Sequence, residues 1–170
     1  MSGESHSEPV TSLVWLTSKT HSELMTTSGD GTVKLWDTRM FSSSRETFII
    51  DLSNRDRASC GDLNIAQGGS FLSYDTTIPS KYLVGTEAGQ VICCSRKGRS
   101  QPETITARFR GHHGSVKYIE RNPAASKYFL SLGDTTAKVS HWHNLIIIIR
   151  KADYISGGVG WARVQPVVTV

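Results

Sequence analysis

The residues best suited to chemistry are six histidines, three cysteines and a scatter of serines and aspartates. His141 and His143 are separated by one residue, which on a strand would set both imidazoles on one face, and His112 and His113 could add further ligands for zinc. No cysteine or carboxylate stands at metal-ligand spacing beside them, so a metal-dependent hydrolase is a weak reading and no metal is expected. A nucleophilic enzyme has equally little support. The chain lacks a Gly-x-Ser-x-Gly elbow, and no cysteine stands in a recognisable His-paired nucleophile context. Gly85 and Gly89 are not followed by the Gly-Lys-Ser/Thr ending of a phosphate loop. Neither catalysis nor a cofactor is expected.

Binding surfaces are the next question. The 170 residues carry 19 Lys and Arg against 15 Asp and Glu, a formal charge of +4, with acids and bases interspersed. Arg96-Lys97-Gly98-Arg99, with Arg108 and Arg110 beyond, could meet phosphate or an acidic protein face. No aromatic residue is interleaved before Phe109, so no stacking platform is evident and nucleic acid is disfavoured as a partner. A solvated loop joining two strand groups is the better reading of this segment. The longest apolar run, from Leu145 to Ile149, is far short of the ~18–20 residues of a spanning helix, and the N-terminus has no signal-peptide pattern. An odd cysteine count, with Cys93 and Cys94 adjacent, gives no disulfide framework. These features predict a soluble protein of a reducing compartment, with no membrane partner.

Any such residues must be positioned by strands. Short β-branched or aromatic runs bounded by Gly, Asp, Ser, Asn or Pro fall at 10–16, 24–27, 32–36, 47–52, 71–74, 82–85, 90–94, 104–108, 116–121, 128–132 and 137–139. No segment holds a 3.6-residue apolar stripe for three turns, so the class is all-β. Asp30-Gly31 between two runs predicts a type I′ hairpin. Polar stretches at 39–46 and 95–103 read as loops separating strand groups, and 54–69 as a longer insertion with one strand over 63–65. The run from Leu145 to Ile149 would be a buried strand in a complete sheet array and an aggregation hazard on an open edge.

A repeat organises these runs. His6 is followed 24 residues later by Asp30 in Ser28-Gly29-Asp30-Gly31-Thr32-Val33-Lys34-Leu35-Trp36-Asp37. Gly111-His112 is followed 22 residues after the histidine by Asp134 in Ser131-Leu132-Gly133-Asp134-Thr135-Thr136-Ala137-Lys138-Val139. A degenerate middle copy, Tyr82-Leu83-Val84-Gly85-Thr86-Glu87-Ala88-Gly89-Gln90-Val91, has Ala88 for the Asp and Cys94 for the Trp. These units, 5–40, 46–97 and 104–143 within a region 5–143, resemble WD40 repeats. The resemblance implies four-stranded blades of a β-propeller, about three with a partial fourth beginning in the divergent tail 144–170, where Tyr154-Ile155-Ser156 and Trp161 resemble an opening strand. It also implies a structural network of His6, Ser28 or Thr27, Asp30 and Trp36 in the first unit and His112, Ser131 and Asp134 in the third, where Ser140 takes the Trp position. Three units cannot close a ring of 4–8 blades, so an open, incomplete propeller and a fragment are expected.

A narrower resemblance covers residues from His6 to Val139. Trp15-Leu16-Thr17-Ser18-Lys19-Thr20, Ile78-Pro79-Ser80-Lys81-Tyr82, Arg110-Gly111-His112-His113-Gly114 and Arg121-Asn122-Pro123 are similar to the axonemal dynein intermediate chains, those of the outer arm in particular. The resemblance implies a non-catalytic scaffold in the cytoskeleton of the cilium or flagellum. Its partners would be a dynein heavy chain and another dynein intermediate chain, with light chains as further candidates and microtubule association indirect. The alternative is a generic WD40 interaction module outside cilia, in a regulatory or RNA-associated complex.

Overall fold

The computed structural model describes residues 5–52, 63–74, 76–98, 101–141, 146–150 and 167–169. Antiparallel strands dominate them. The first sheet runs in chain order through β1 (Val10–Trp15), β2 (Glu23–Ser28), β3 (Thr32–Asp37) and β4 (Glu46–Ile49). The second repeats the meander with β5 (Gly69–Tyr74), β6 (Lys81–Thr86), β7 (Gln90–Ser95) and β8 (Ile105–Arg110). The third has β9 (Val116–Arg121), β10 (Tyr128–Gly133), β11 (Thr136–His141) and β12 (Ile146–Arg150), then a fifth strand, β13 (Val167–Thr169), on its outer edge. None of the three closes into a barrel. A single helical turn, α1 (Gln101–Thr104), precedes β8.

The sheets are offset from the sequence units by one strand. β4 opens the second unit yet completes the first sheet, and β8 opens the third unit yet completes the second. The reason is local. A chain leaving β3 can pair at once with the free edge of β3, as Lys34 does opposite Thr47, before crossing to the next sheet. The polar loops 39–46 and 95–103 therefore join strands within one sheet, not successive blades. Ile146–Arg150, placed in the tail by the repeat, pairs with β11 as the fourth strand of the third sheet. Tyr154, Ile155, Ser156 and Trp161 lie outside the described residues.

Two further expectations are corrected. Leu63–Ile65 forms a 3-10 turn instead of a strand. The hairpin at Asp30-Gly31 exists, but Asp30 does not take a positive φ, so the turn is not type I′. Three residues link β2 and β3. The Gly31 N–H donates to the Ser28 carbonyl at 3.3 Å, and Gly31 alone is left-handed at φ 77°. A turn followed by one left-handed residue is the usual three-residue solution. The middle sheet repeats it with Gly89 at φ 79°.

Packing between sheets follows the period-two alternation of the strands. Tyr82, Val84, Ile92 and Cys94 of the second sheet point towards Met25, Val33, Leu35 and Phe48 of the first. The alternate residues Leu83, Val91 and Cys93 face Val116, Ile119 and Phe129 of the third. The middle sheet is thus buried on both sides, which is why its β6 and β7 read as continuous apolar runs. Along the inner strands, polar bonds tie neighbours: the Thr11 hydroxyl donates to the Gly69 carbonyl at 2.7 Å, and the Ser70 hydroxyl to the Val116 carbonyl at 2.7 Å.

Leu83 is fully buried between two sheets, whereas Met40 is exposed. Leu83→Ala should lower unfolding free energy by about 2–5 kcal/mol, and Met40→Ala should stay within about 0.5 kcal/mol of the parent, as read from urea denaturation.

Candidate functional site

The polar residues singled out by the repeat converge at the turn ends of the first and third sheets. In the first, the Trp36 indole N–H donates to Thr26 Oγ1 at 2.7 Å. That hydroxyl is left to donate to His6 Nε2 at 2.7 Å, which fixes the tautomer so that Nδ1–H donates to Asp30 Oδ2 at 2.9 Å. Asp30 also accepts the Ser7 N–H at 3.1 Å on Oδ2, and the Thr32 N–H at 2.9 Å and hydroxyl at 2.7 Å on Oδ1. Four donors fill the acceptor capacity of one carboxylate. Burial alone would raise the Asp30 pKa, but the bonds from Thr32, His6 and Ser7 outweigh it and hold the group below its ordinary value.

The strand hydroxyl that meets His6 is Thr26, not Ser28 or Thr27. A two-residue loop would bring Thr27 opposite Lys34 on the Trp36 face. The three-residue loop shifts the register by one and pairs Thr26 with Lys34, placing Thr26 diagonally across from Trp36. Ser28 lies next to the turn, where its hydroxyl accepts the Asp30 N–H at 3.2 Å and donates to the Glu8 carbonyl at 3.0 Å. Thr27 instead donates to the Thr32 carbonyl at 3.2 Å. Thr32 was also missed, although a hydroxyl two residues after a turn aspartate is a readable signal.

The third sheet brings together His112, Ser131 and Asp134 with different detail. His112 Nε2 lies 2.9 Å from the Ser131 hydroxyl, and Nδ1 lies 3.1 Å from Thr136 Oγ1 but 3.7 Å from Asp134. Asp134, left-handed at φ 48°, accepts the His113 N–H at 2.8 Å together with the Thr136 N–H and hydroxyl. Burial works against these bonds, yet they hold its carboxyl well below the usual carboxylate range. His112 is shifted down, first by burial and then by the Lys138 ammonium. Gly133 lets the imidazole approach: a Cβ there would stand 2.7 Å from the ring. Ser140 occupies the position matching Trp36, so among the described residues no indole closes this network.

The middle sheet has no such network among its described residues. Val84 and Cys94 stand where Thr26 and Trp36 stand in the first sheet, and both are buried in the apolar core. Burial pushes the Cys93 and Cys94 thiols up, away from the thiolate form a nucleophile needs. Of the cations, Arg96 reaches Glu23 at 3.3 Å and Arg108 donates to the Leu52 carbonyl at 2.7 Å, whereas Arg99 lies outside the described residues. His141 packs on Tyr128 in a tilted arrangement with ring centroids 4.6 Å apart, while Trp142 and His143 are outside the described residues. Among the described residues no three His, Cys, Asp or Glu side chains cluster to hold a metal, and no helix is long and apolar enough to cross a membrane.

Four-stranded meanders and a repeated His–hydroxyl–Asp turn network are similar to the blades of a WD40 propeller. Residues 2–37, which hold the first network, match the WD domain, G-beta repeat family. Over 168 residues, 96% of this chain, the sequence is 39% identical to Dynein axonemal intermediate chain 2 of Mus musculus, covering 26% of that protein. It is 42% identical over 135 residues to Dynein intermediate chain 3, ciliary, of Heliocidaris crassispina, covering 79% of this chain and 22% of that one. It is 40% identical over 136 residues to Dynein, 70 kDa intermediate chain, flagellar outer arm, of Chlamydomonas reinhardtii, with 79% and 23% covered. The chain spans about a quarter of the length of the curated relatives it matches.

Thr26→Val leaves Trp36 and His6 without their shared partner and should cost about 1–3 kcal/mol in urea denaturation. The network also sets a pH dependence. Because His112 titrates lower when folded, the unfolded chain binds its proton first, so stability falls as pH drops below about 6.5. Asp30 and Asp134 are held low in the fold, so their contribution is complete above about pH 4 and is lost as pH falls through their folded values. His112→Gln should flatten the urea midpoint between pH 7.5 and 5.5 and leave the acid limb in place.

Proposed function

We propose that this chain is a segment of an axonemal dynein intermediate chain and acts as a non-catalytic scaffold in the cilium or flagellum, where it helps hold motor subunits together for microtubule-based movement. The observation that carries the reading is identity of 39% sustained across 96% of the chain, spanning all three sheets and not one motif. The site chemistry supports the same reading. Asp30 with four donors and Asp134 with three are both held low in pKa, so neither is a useful base near neutral pH, and they serve as turn clamps together with His6, Thr26, Trp36, His112 and Ser131.

The partners this reading names are a dynein heavy chain and a second, different dynein intermediate chain, with light chains joining the same assembly. Contact with microtubules would run through those subunits. Rigid sheets with exposed loops suit such work, because they hold binding surfaces in fixed relation over a wide span. Affinity capture from an axonemal extract with the 170-residue chain as bait should enrich a dynein heavy chain and an intermediate chain. Reproducible recovery of other complexes without any dynein subunit would overturn the reading.

A further inference from the structure

The connection between β3 and β4 carries an arrangement that the sheets themselves do not need. It reads Thr38-Arg39-Met40-Phe41-Ser42-Ser43-Ser44-Arg45, with Ser42 midway, three residues after Arg39 and three before Arg45. Of all the serines and threonines in the chain, Ser42 alone has an arginine three residues ahead of it. Lysine takes that place before Ser22, which is buried, and before Ser100, which lies outside the described residues. Ser42 is exposed in the turn at Phe41 and Ser42, and its hydroxyl makes no hydrogen bond among the described residues. Ser44, by contrast, is bonded to the Thr47 hydroxyl at 3.2 Å.

Two guanidinium groups flank Ser42, and they are held differently. Arg39 lies across Asp37, with Nε donating to Oδ1 at 3.1 Å and Nη2 to Oδ2 at 2.9 Å. That leaves Nη1 open on a side chain that is 64% exposed. Arg45 donates to Glu23 at 2.6 Å, and Arg96, which follows β7, reaches the other oxygen of the same carboxylate at 3.3 Å. One carboxylate therefore faces two cations. The set spans the boundary between the first and second sheets, inside the array and not at either of its ends.

We propose that Ser42 is a phosphorylation site for an arginine-directed protein kinase, and that Arg45 holds the phosphate once it is made. Arg39 supplies the cation such a kinase reads three residues before its acceptor, and Nη1 is free to meet a kinase carboxylate while Nε and Nη2 stay on Asp37. In the transfer the Ser42 oxygen bonds the γ-phosphorus of ATP, the bond from that phosphorus to ADP breaks, and the hydroxyl proton passes to the aspartate of the kinase. The product carries about −1.5 to −2 charges at neutral pH and three strong acceptor oxygens. Arg45 can turn to it without stranding Glu23, because Arg96 remains on that carboxylate. The bonds it makes there are charge-assisted and short. Arg39, Arg45 and Arg96 against Asp37 and Glu23 leave an excess of positive charge at this rim, and the phosphate reverses its sign.

The test uses the 170-residue chain, magnesium ATP and the catalytic subunit of an arginine-directed kinase, with circular dichroism to show that each variant keeps its sheets. Peptide mass mapping should place one phosphate on Ser42, and Ser42→Ala should remove it. Arg39→Gln should lower kcat/KM for the transfer at least ~10-fold, the loss of one charge-assisted contact to the kinase. No phosphate, phosphate on other residues only, or an unchanged rate in Arg39→Gln would overturn the site. Phosphorus NMR then reads the clamp. The second pKa of the phosphate, ordinarily about 6, should lie lower in the parent and in Arg45→Lys, and return towards that value in Arg45→Gln. Identical titration in the parent and Arg45→Gln would overturn the role of Arg45.

Discussion

The structure rests on one constraint: the middle four-stranded sheet is apolar on both faces, and each of them must be covered by another sheet. An antiparallel sheet with one polar face could leave that face to water. Here the middle sheet places Leu83 and Val84, or Ile92 and Cys93, on opposite sides with none of them exposed, so neither face tolerates solvent. Its strands gain their stability from both neighbours, and the first and third sheets each gain theirs from one side. The order of the three sheets, their inner polar ties and the two apolar cores follow from that demand.

Polar networks and apolar packing are alternative ways of meeting it. In the first and third sheets the positions of Thr26 and Ser131 hold hydroxyls, and the turn carboxylates beside them are satisfied by histidine, threonine and backbone donors. In the middle sheet Val84, Ile92 and Cys94 replace that set with side chains that have nothing to satisfy, and the turn aspartate becomes Ala88. The replacement is self-consistent. Keeping the aspartate without its histidine and hydroxyl would leave a carboxylate short of donors, a loss larger than the bonds are worth when complete. The turn itself survives because Gly89 supplies the left-handed residue that Gly31 supplies in the first sheet.

This also explains what could be read from the sequence. Eleven strand runs and the all-β class were legible because alternation and turn residues are local signals, and the repeat made His6, Asp30, His112, Ser131 and Asp134 stand out. Register was not legible. Asp30-Gly31 suggests a two-residue loop, the chain uses three, and one residue of slip is enough to exchange Thr27 for Thr26 at the centre of the network. Leu63–Ile65 forms a 3-10 turn for a related reason, since two apolar residues either side of Asn64 are too short a run to specify a strand. The offset between sequence units and sheets was likewise hidden, because which edge β4 and β8 join depends on pairing and not on their own residues.

The two ends of the sheets are constrained unequally, and this bears on where specificity resides. At the turn end, Asp30 and Asp134 each hold several backbone and side-chain donors, so a change there disturbs the strand register itself. At the other end lie the connections following β1 and β3, where Arg39 pairs with Asp37 at 2.9 Å and Arg45 with Glu23 at 2.6 Å. Both arginines are more than half exposed, although Asp37 and Glu23 are mostly buried, so the arginine ends themselves add little to the packing. Side chains in those connections can change without unfolding the sheets beneath. A scaffold that must keep its sheets while distinguishing partners can therefore vary the exposed side chains of the β1–β2 and β3–β4 connections, apart from buried Leu16 and Ser22, and can vary the His–Asp turns only where, as in the middle sheet, the whole network is exchanged at once.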